Sequence, residues 1–409
     1  MQSLLILGRQ PELGLAELES LYGPENVQPL SKEAVLVDID SSLLAFKRLG
    51  GSLKLAKLLT DLGSTQWRDI EEYLINHGLS HSKNIGSGKM TIGLSLYGFN
   101  LGVRSISASS LKIKRALQKT GRSVRLVPNK NEELNTAQVI HNKLTSDRSM
   151  ELLVIKTSNK TFIAQTVMVQ DIKAYSRRDQ ARPNRDSRVG MLPPKLAQII
   201  INLASGRLTE NKLKPIDQVA SRQEALKINQ TVLDPFCGSG VILQEAVLMG
   251  YEIIGSDLNP RMVEYTKNNL SWLADLYKLD INSKEIITGD AQDRHWPKFD
   301  FVATETNLGK PLSSLPSEAE LNTMIVQLNI LIEQFLKNIA TQTTSGTRLC
   351  LAIPAWQIRK DEFKSLPLID HLADLGYNSI DFEHSKSEEL IYYRPDQLVA
   401  RKLLTLIRN

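Results

Sequence analysis

The sequence predicts an α/β chain with a doubly wound parallel sheet in its C-terminal half and a smaller α+β region before it. Three observations carry this. From Thr231 to the C-terminus, short apolar runs alternate with stretches of helical periodicity. The first of those runs ends in Asp-Pro and a glycine-containing turn that opens a helix, as at the ligand edge of such sheets. Upstream of residue 170, strands and helices also alternate, in shorter units.

A chain of 409 residues is too long for one ordinary domain, so two or three are expected. Its 42% hydrophobic and 23% charged content fits a soluble globular protein rather than a disordered one. No apolar run is long enough to span a bilayer. The opening MQSLLILGRQPELG lacks a basic lead-in and a cleavage site and reads as a first strand. Cys237 and Cys350 are too far apart for a metal-ligand spacing or a disulfide framework. The expectation is a cytoplasmic protein with no membrane association and no metal. A net charge of +5 is mild, so the placement of charge matters more than its sum.

Leu4 to Leu7 is a first strand, followed by a helix from Pro11 with Leu15, Leu18 and Leu21 at helical spacing. Ala34 to Ile39 is a second strand, and an amphipathic stretch from Leu43 to Leu59 is interrupted at Gly50-Gly51. These form one unit over 1–65. In a second unit, 66–170, strands are expected at Thr91–Tyr97, Ser123–Pro128, Glu151–Thr157 and Thr161–Val169, with helices at Ser107–Thr120 and Thr136–Leu144. His77 and His81 flank Gly78, which argues against a helix and for two exposed loop histidines. Residues 171–190 are arginine-rich without apolar periodicity and read as a linker. A domain over 191–409 begins with a helix opened at Pro193-Pro194, and 205–229 reads as a polar insertion.

The chemistry-bearing motif is TVLDPFCGSG, residues 231–240. A buried strand ends at Asp234, and Gly238 and Gly240 let the backbone approach a ligand before the helix from Val241. The next strand ends at Asp257, 17 residues after Gly240, where an acid can accept hydrogen bonds from both ribose hydroxyls of an adenosine. A third ends at Gly289-Asp290-Ala291, whose acid can accept from an adenine amine, and a fourth, Phe299 to Ala303, enters ATETNLG, residues 303–309. The loop is no P-loop, and Asp234-Pro235 stands where a dinucleotide fingerprint begins its glycines. An acid there suits an amine-bearing ligand such as S-adenosylmethionine. The competing reading is a non-binding α/β domain with an incidental glycine turn. Cys237 has no base nearby and reads as a small residue lining the turn; Gln244 and Glu245 read as solvent-facing.

DPFCGSG, SDLNP and GDAQD resemble the cofactor motifs of class I S-adenosylmethionine-dependent methyltransferases. RRDQARPNRDSRVGMLPPKLAQIIINLA followed by TVLDPFCGSG resembles, more narrowly, the THUMP-domain tRNA guanine-N2 methyltransferases. The resemblance is specific over 177–259 and weak over 1–170. It implies a ferredoxin-like unit (1–65), a THUMP RNA-binding unit (66–170), the linker, and a Rossmann-like catalytic domain (191–409). It further implies methylation of a guanosine N2 amine at tRNA position 10, and a small activating subunit as a partner, as in some relatives. Cofactor contacts are expected from Asp234, Pro235, Phe236, Cys237, Gly238, Gly240, Asp257, Leu258, Asn259, Asp290 and Ala291, with Gly190, Met191 and Leu192 closing over the cofactor.

In that family the carbonyls and carboxylate of a D-P-P-Y motif hold the amine, and the aromatic stacks on the flipped base. Here Glu305, Thr306, Asn307 and Leu308 stand in its place. Glu305 is expected as the amine acceptor and Asn307 as its helper; the other reading is an inactive cofactor- and RNA-binding protein. A DNA amino-methyltransferase is a further alternative. Two basic clusters are candidate tRNA contacts: Lys112, Lys114, Arg115, Lys119, Arg122 and Arg125, and Arg177, Arg178, Arg182, Arg185 and Arg188 in the linker. Either cluster could instead be a solvated face.

Overall fold

The computed structural model describes residues 2–84, 88–186, 191–208, 228–312, 314, 316–394 and 397–409. These fall into two compact units. The first comprises Met1–Pro11, Glu25–Lys47 and Ser52–Ile172; the second comprises Glu12–Pro24, Arg48–Gly51 and Lys173–Asn409.

The first unit is built on one sheet, ordered β2-β3-β1-β4-β8-β7-β5-β6. Its strands are β1 (Ser3–Leu7), β2 (Val27–Pro29), β3 (Ala34–Val37), β4 (Ser52–Leu62), β5 (Met90–Tyr97), β6 (Val124–Leu126), β7 (Ser149–Lys156) and β8 (Thr161–Val169). The long β4 pairs β1 on one side and β8 on the other, so one sheet holds strands from both sides of residue 65. The units change over at Ile172/Lys173, two residues from the expected boundary at 170, while the strands on either side of 65 share one sheet and residues 173–190 fall with the second unit. Cross-strand hydrogen bonding over a hundred residues of chain leaves no local signal. The stretch around Gly50-Gly51 is a 3₁₀ turn (Phe46–Arg48) leading into β4.

Helix α1 (Pro11–Tyr22) belongs to the second unit from Glu12 onward. The first unit's own helices are α2 (Trp67–Asn84), α3 (Gly102–Lys119) and α4 (Thr136–His141). The expectation of loop histidines fails here. His77 and His81 share one face of α2, ring centroids 6.1 Å apart and stacked. Gly78 is buried toward Ile113, and that packing outweighs its cost of about 1 kcal/mol in a helix. Under the sheet, Glu151 accepts hydrogen bonds from Lys54, Ser95 (2.6 Å) and Thr166 (2.6 Å), so this buried charge is fully partnered.

The second unit contains α5 (Ile172–Gln180), α6 (Pro194–Ser205), α7 (Val241–Leu248), α8 (Pro260–Tyr277) and α9 (Glu318–Ala340). Its sheet has strands β9 (Thr231–Asp234), β10 (Glu252–Asp257), β11 (Ile286–Thr288), β12 (Phe301–Glu305), β13 (Arg348–Arg359), β14 (Glu362–Lys364), β15 (Tyr377–Ser379), β16 (Ile391–Tyr392) and β17 (Val399–Arg408). The main path is β11-β10-β9-β12-β13-β17-β15. It is parallel from β11 to β13, as expected; β17 then runs antiparallel to β13, so the sheet is mixed rather than all parallel. Cores lie on both faces, as a doubly wound sheet requires.

The expected linker contains α5. Burial there comes from Tyr175 and Arg178 rather than from aliphatic residues, so no apolar periodicity marks it. Glu17 of α1 accepts from the amides of Gly50 and Gly51, both at 2.9 Å, and from Asn202 of α6 at 2.7 Å. Gly50 is obligatory there: a Cβ would stand 1.9 Å from the Lys195 carbonyl oxygen. No helix among the described residues is long and apolar enough to cross a membrane.

Candidate active site

Four strand ends converge at the carboxyl edge of the parallel part of the second sheet. β9 delivers Asp234, β10 Asp257, the turn after β11 Asp290, and β12 Glu305. The loop from Pro235 to Gly240 turns through positive φ at Gly238 (52°) and Gly240 (83°), then enters α7. The two glycines serve different ends. A Cβ on Gly240 would meet Thr266 Cγ2 at 2.8 Å, whereas the nearest atom to one on Gly238 is 3.9 Å away. Space over Gly238 is therefore open, the cradle a close-approaching ligand needs.

The loop is held from behind. Thr266 Oγ1 donates to the Gly238 carbonyl (2.7 Å), and Asn269 Nδ2 donates to the Ser239 carbonyl (2.8 Å). Asn269 also exchanges two hydrogen bonds of 2.9 Å with the Asn184 backbone, tying the segment before α6 to the glycine loop. Thr266 and Asn269 carry no motif signal; only their spacing of three on one helix face would have grouped them.

Asp234 is almost wholly buried. Its Oδ1 accepts from Thr304 Oγ1 (2.6 Å) and from the Phe236 amide (3.3 Å). Burial pushes its carboxyl up to about 8, with the charges of Asp257 and Glu305 adding to the rise. Asp257 binds the Gly238 amide (2.9 Å) and the Asn259 amide (2.8 Å); burial raises its carboxyl and these donors oppose it. Asp290 accepts from the Gln292 amide at 3.0 Å. Leu258 is 70% exposed beside Asp257. Pro235 and Ala291 are buried, Phe236 packs edge-on against Phe335, and Asn259 caps α8. Burial raises the Cys237 thiol well above its ordinary value, which keeps it protonated. Met191 lies 3.4 Å from an Arg185 nitrogen and Leu192 is buried; Gly190 and Arg188 lie outside the described residues.

At the ATETNLG corner, the Glu305 carboxylate pairs with Arg401 Nε of β17. Asn307 Oδ1 accepts from the Gly309 amide (2.8 Å), a local turn, and the Thr306 amide donates to the Ala352 carbonyl (3.0 Å). Sequence reading missed Arg401, which lies 96 positions from Glu305 in a strand with no motif.

The linker arginines need correction. Arg178 is buried over Tyr175 and forms a two-pronged pair with Glu245, Nε–Oε1 2.6 Å and Nη2–Oε2 3.1 Å. Arg182 is also buried. Neither presents its guanidinium to a phosphate. Glu245 and Gln244 are correspondingly buried rather than solvent-facing, because α5 and α6 cover that side of α7. Arg177 and Arg185 are exposed. In the first unit, Lys112, Arg115, Lys119 and Arg125 are exposed, Lys114 and Arg122 half-buried; Lys112 pairs with Glu71 and Arg125 with Asn142. Among the described residues no group of acids, histidines and cysteines could hold a metal.

Residues 224–357 match the family model of an RMKL-like methyltransferase domain, and residues 129–268 match that of a DNA methylase. A tRNA (guanine(10)-N2)-dimethyltransferase of Methanothermobacter thermautotrophicus is 31% identical over 179 residues, 43% of this chain and 43% of that protein. One of the same name from Methanocaldococcus jannaschii is 31% identical over 117 residues, 29% of this chain and 27% of that one. The matches thus span less than half of these relatives. The crystal structure of TrmN from Thermus thermophilus superposes with a TM-score of 0.52 at 17% identity, covering 100% of both chains. Open space over Gly238 and acids at successive strand ends fit a cofactor that carries an ammonium, a ribose and an adenine. Residues 224–357 thus match a methyltransferase-domain model and lie in a unit with the Rossmann-like class I fold, and the site at its strand ends fits S-adenosylmethionine as cofactor.

Proposed function

We propose that this chain transfers methyl groups to the exocyclic N2 amine of a guanosine in tRNA, at position 10, in the cytoplasm. The observation that carries the reading is the 31% identity over 179 residues to a tRNA (guanine(10)-N2)-dimethyltransferase. Asp234 and the Gly238 loop hold the amino-acid end of the cofactor, Asp257 the ribose and Asp290 the adenine. Met191 and Leu192 close over that cofactor. The first unit, read as the THUMP region, grips tRNA through Lys112, Lys114, Arg115, Arg122 and Arg125; Arg177 of α5, in the second unit, is a separate phosphate contact.

When bound, S-adenosylmethionine supplies an electrophilic methyl group. The chain's task is to present the amine. A guanine amine is a poor nucleophile because its lone pair is delocalised into the ring. An acceptor fixed at the end of β12 draws on an amine hydrogen, favours the tetrahedral nitrogen and orients it for in-line attack. Glu305 is that acceptor. Asn307, whose side-chain oxygen holds the Gly309 amide, helps by shaping the turn rather than by direct contact. Leu308 packs against the base in place of a ring.

The test is transfer from radiolabelled S-adenosylmethionine to an unmodified tRNA transcript, with nucleoside analysis of the product. Labelled N2-methylguanosine from the wild type, absent with Asp257→Ala, supports the reading. A protein that binds the cofactor and labels no RNA refutes it. The DNA methylase match over 129–268 favours a second reading, an amino-methyltransferase of DNA. Preferential labelling of DNA in a mixed assay selects it.

A further inference from the structure

Arg401 sits in β17 opposite Pro354 of β13 and Tyr392 of β16, at the edge where β12 delivers Glu305. Its side chain is 5% exposed, that of Glu305 17%. The carboxylate is therefore the more open partner. Only Oε1 of Glu305 is engaged, by Arg401 Nε; Oε2 accepts no hydrogen bond among the described residues.

Two consequences follow. The first is positional. A glutamate carries one more rotatable bond than an aspartate, and Thr306-Asn307-Leu308 after it include no proline to stiffen the turn. A guanidinium nitrogen on Oε1 fixes the added torsion and leaves Oε2 as an acceptor in one place. The Thr306–Ala352 bond and the Asn307–Gly309 turn hold the backbone on either side of it. The second is electrostatic. A lone carboxylate in a partly buried pocket attracts cations. Paired with a buried guanidinium it forms a net-neutral unit that still accepts a hydrogen bond.

On the methyltransferase reading above, we infer that Arg401 is a positioning residue that holds Glu305 where prolines would otherwise fix the acceptor. The Glu305–Arg401 pair thereby selects a neutral amine, such as that of a nucleobase, over a protonated amine such as a lysine side chain.

The experiment uses the full chain, radiolabelled S-adenosylmethionine and an unmodified tRNA transcript, with polylysine as a competing acceptor. Wild type, Glu305→Gln, Arg401→Leu, Arg401→Lys and the Glu305→Gln/Arg401→Leu double variant are compared. Arg401→Leu is expected to lower kcat by about 10²-fold, the scale of a misplaced reacting group. Its cofactor affinity by calorimetry should stay within about threefold of wild type, and Arg401→Lys should recover part of kcat. Because Arg401 acts through Glu305, the double variant should be no slower than Glu305→Gln. A purely structural role would instead lower cofactor affinity alongside kcat, and the two losses would multiply. Multiplied losses, an Arg401→Leu enzyme within about threefold of wild-type kcat, or wild-type labelling of polylysine above tRNA each overturn the inference. A wild type that binds cofactor and labels nothing removes the functional reading and this inference together. An active wild type with an unaffected Arg401→Leu removes the inference alone.

Discussion

Thr304 donates its hydroxyl to the buried carboxylate of Asp234 at 2.6 Å, joining the strand that opens the glycine loop to the strand that ends in Glu305. Thr304→Val keeps the shape and removes the donor. Asp234 would then rely on the longer bond from the Phe236 amide. The Thr304 bond favours the ionised Asp234 that the ammonium needs, and a hydrogen bond to a charged group contributes about 1.5 kcal/mol or more, so near neutral pH cofactor affinity should fall roughly tenfold. Calorimetric titration of S-adenosylmethionine checks this.

The raised Asp234 carboxyl makes two pH predictions of opposite sign. Its folded value of about 8 lies above its ordinary 3.8, and Glu17, at about 7 against 4.5, is displaced the same way by burial. The folded chain therefore holds protons that the unfolded chain releases. The resulting stability is complete below about pH 4 and is lost as pH rises through 7 and 8. Carboxylate pairs elsewhere oppose this at the acid end, so the clean window is pH 6 to 9. There the melting temperature of the free protein should fall, and fall less in Asp234→Asn. Affinity for the cofactor's ammonium should rise from pH 6 to about 8, since it needs the ionised acid, and level or fall above that as the α-ammonium itself loses its proton.

The buried Arg178–Glu245 pair predicts a stability effect where the sequence suggested an RNA effect. Arg178→Met leaves Glu245 buried without its main partner, a change that costs about 3 to 5 kcal/mol. Thermal unfolding should show a large loss, and the Arg178→Met/Glu245→Leu double variant a smaller one. The salt dependence of tRNA binding should be unchanged in the double variant.

How far the sequence reaches is visible in these residues. Asp234, Gly238, Asp257 and Asp290 were legible because each stands at a strand end marked by its own local pattern, and positive φ at the glycines is a local demand. Thr304 was illegible as a partner because a threonine in a strand looks the same whether it faces an acid or a methyl. Arg401 and Asn269 act across 96 and 30 positions of sequence, and no spacing rule reaches them. Helix α5 was hidden because its inward face is Tyr175 and Arg178, polar by composition and buried by pairing. Helix α2 was hidden by Gly78, whose cost is met by packing against α3.

The exposed arginines of the first unit carry the remaining prediction. Arg115 lies on the solvent side of α3, and Ile113 and Leu117 are buried on the other side. Among the described residues it forms no ion pair, whereas neighbouring Lys112 is already committed to Glu71. A phosphate contact from Arg115 adds affinity without reading sequence, through release of a counterion. Arg115→Ala should therefore weaken binding to all tRNAs alike and reduce the slope of log affinity against log salt by about one. Lys112→Ala should change that slope less, because removing Lys112 also frees Glu71 and returns a negative charge to the face. Filter binding from 50 to about 200 mM salt distinguishes the two. Equal slopes for both variants and wild type would place the tRNA contact elsewhere and reduce this helix to a solvated face.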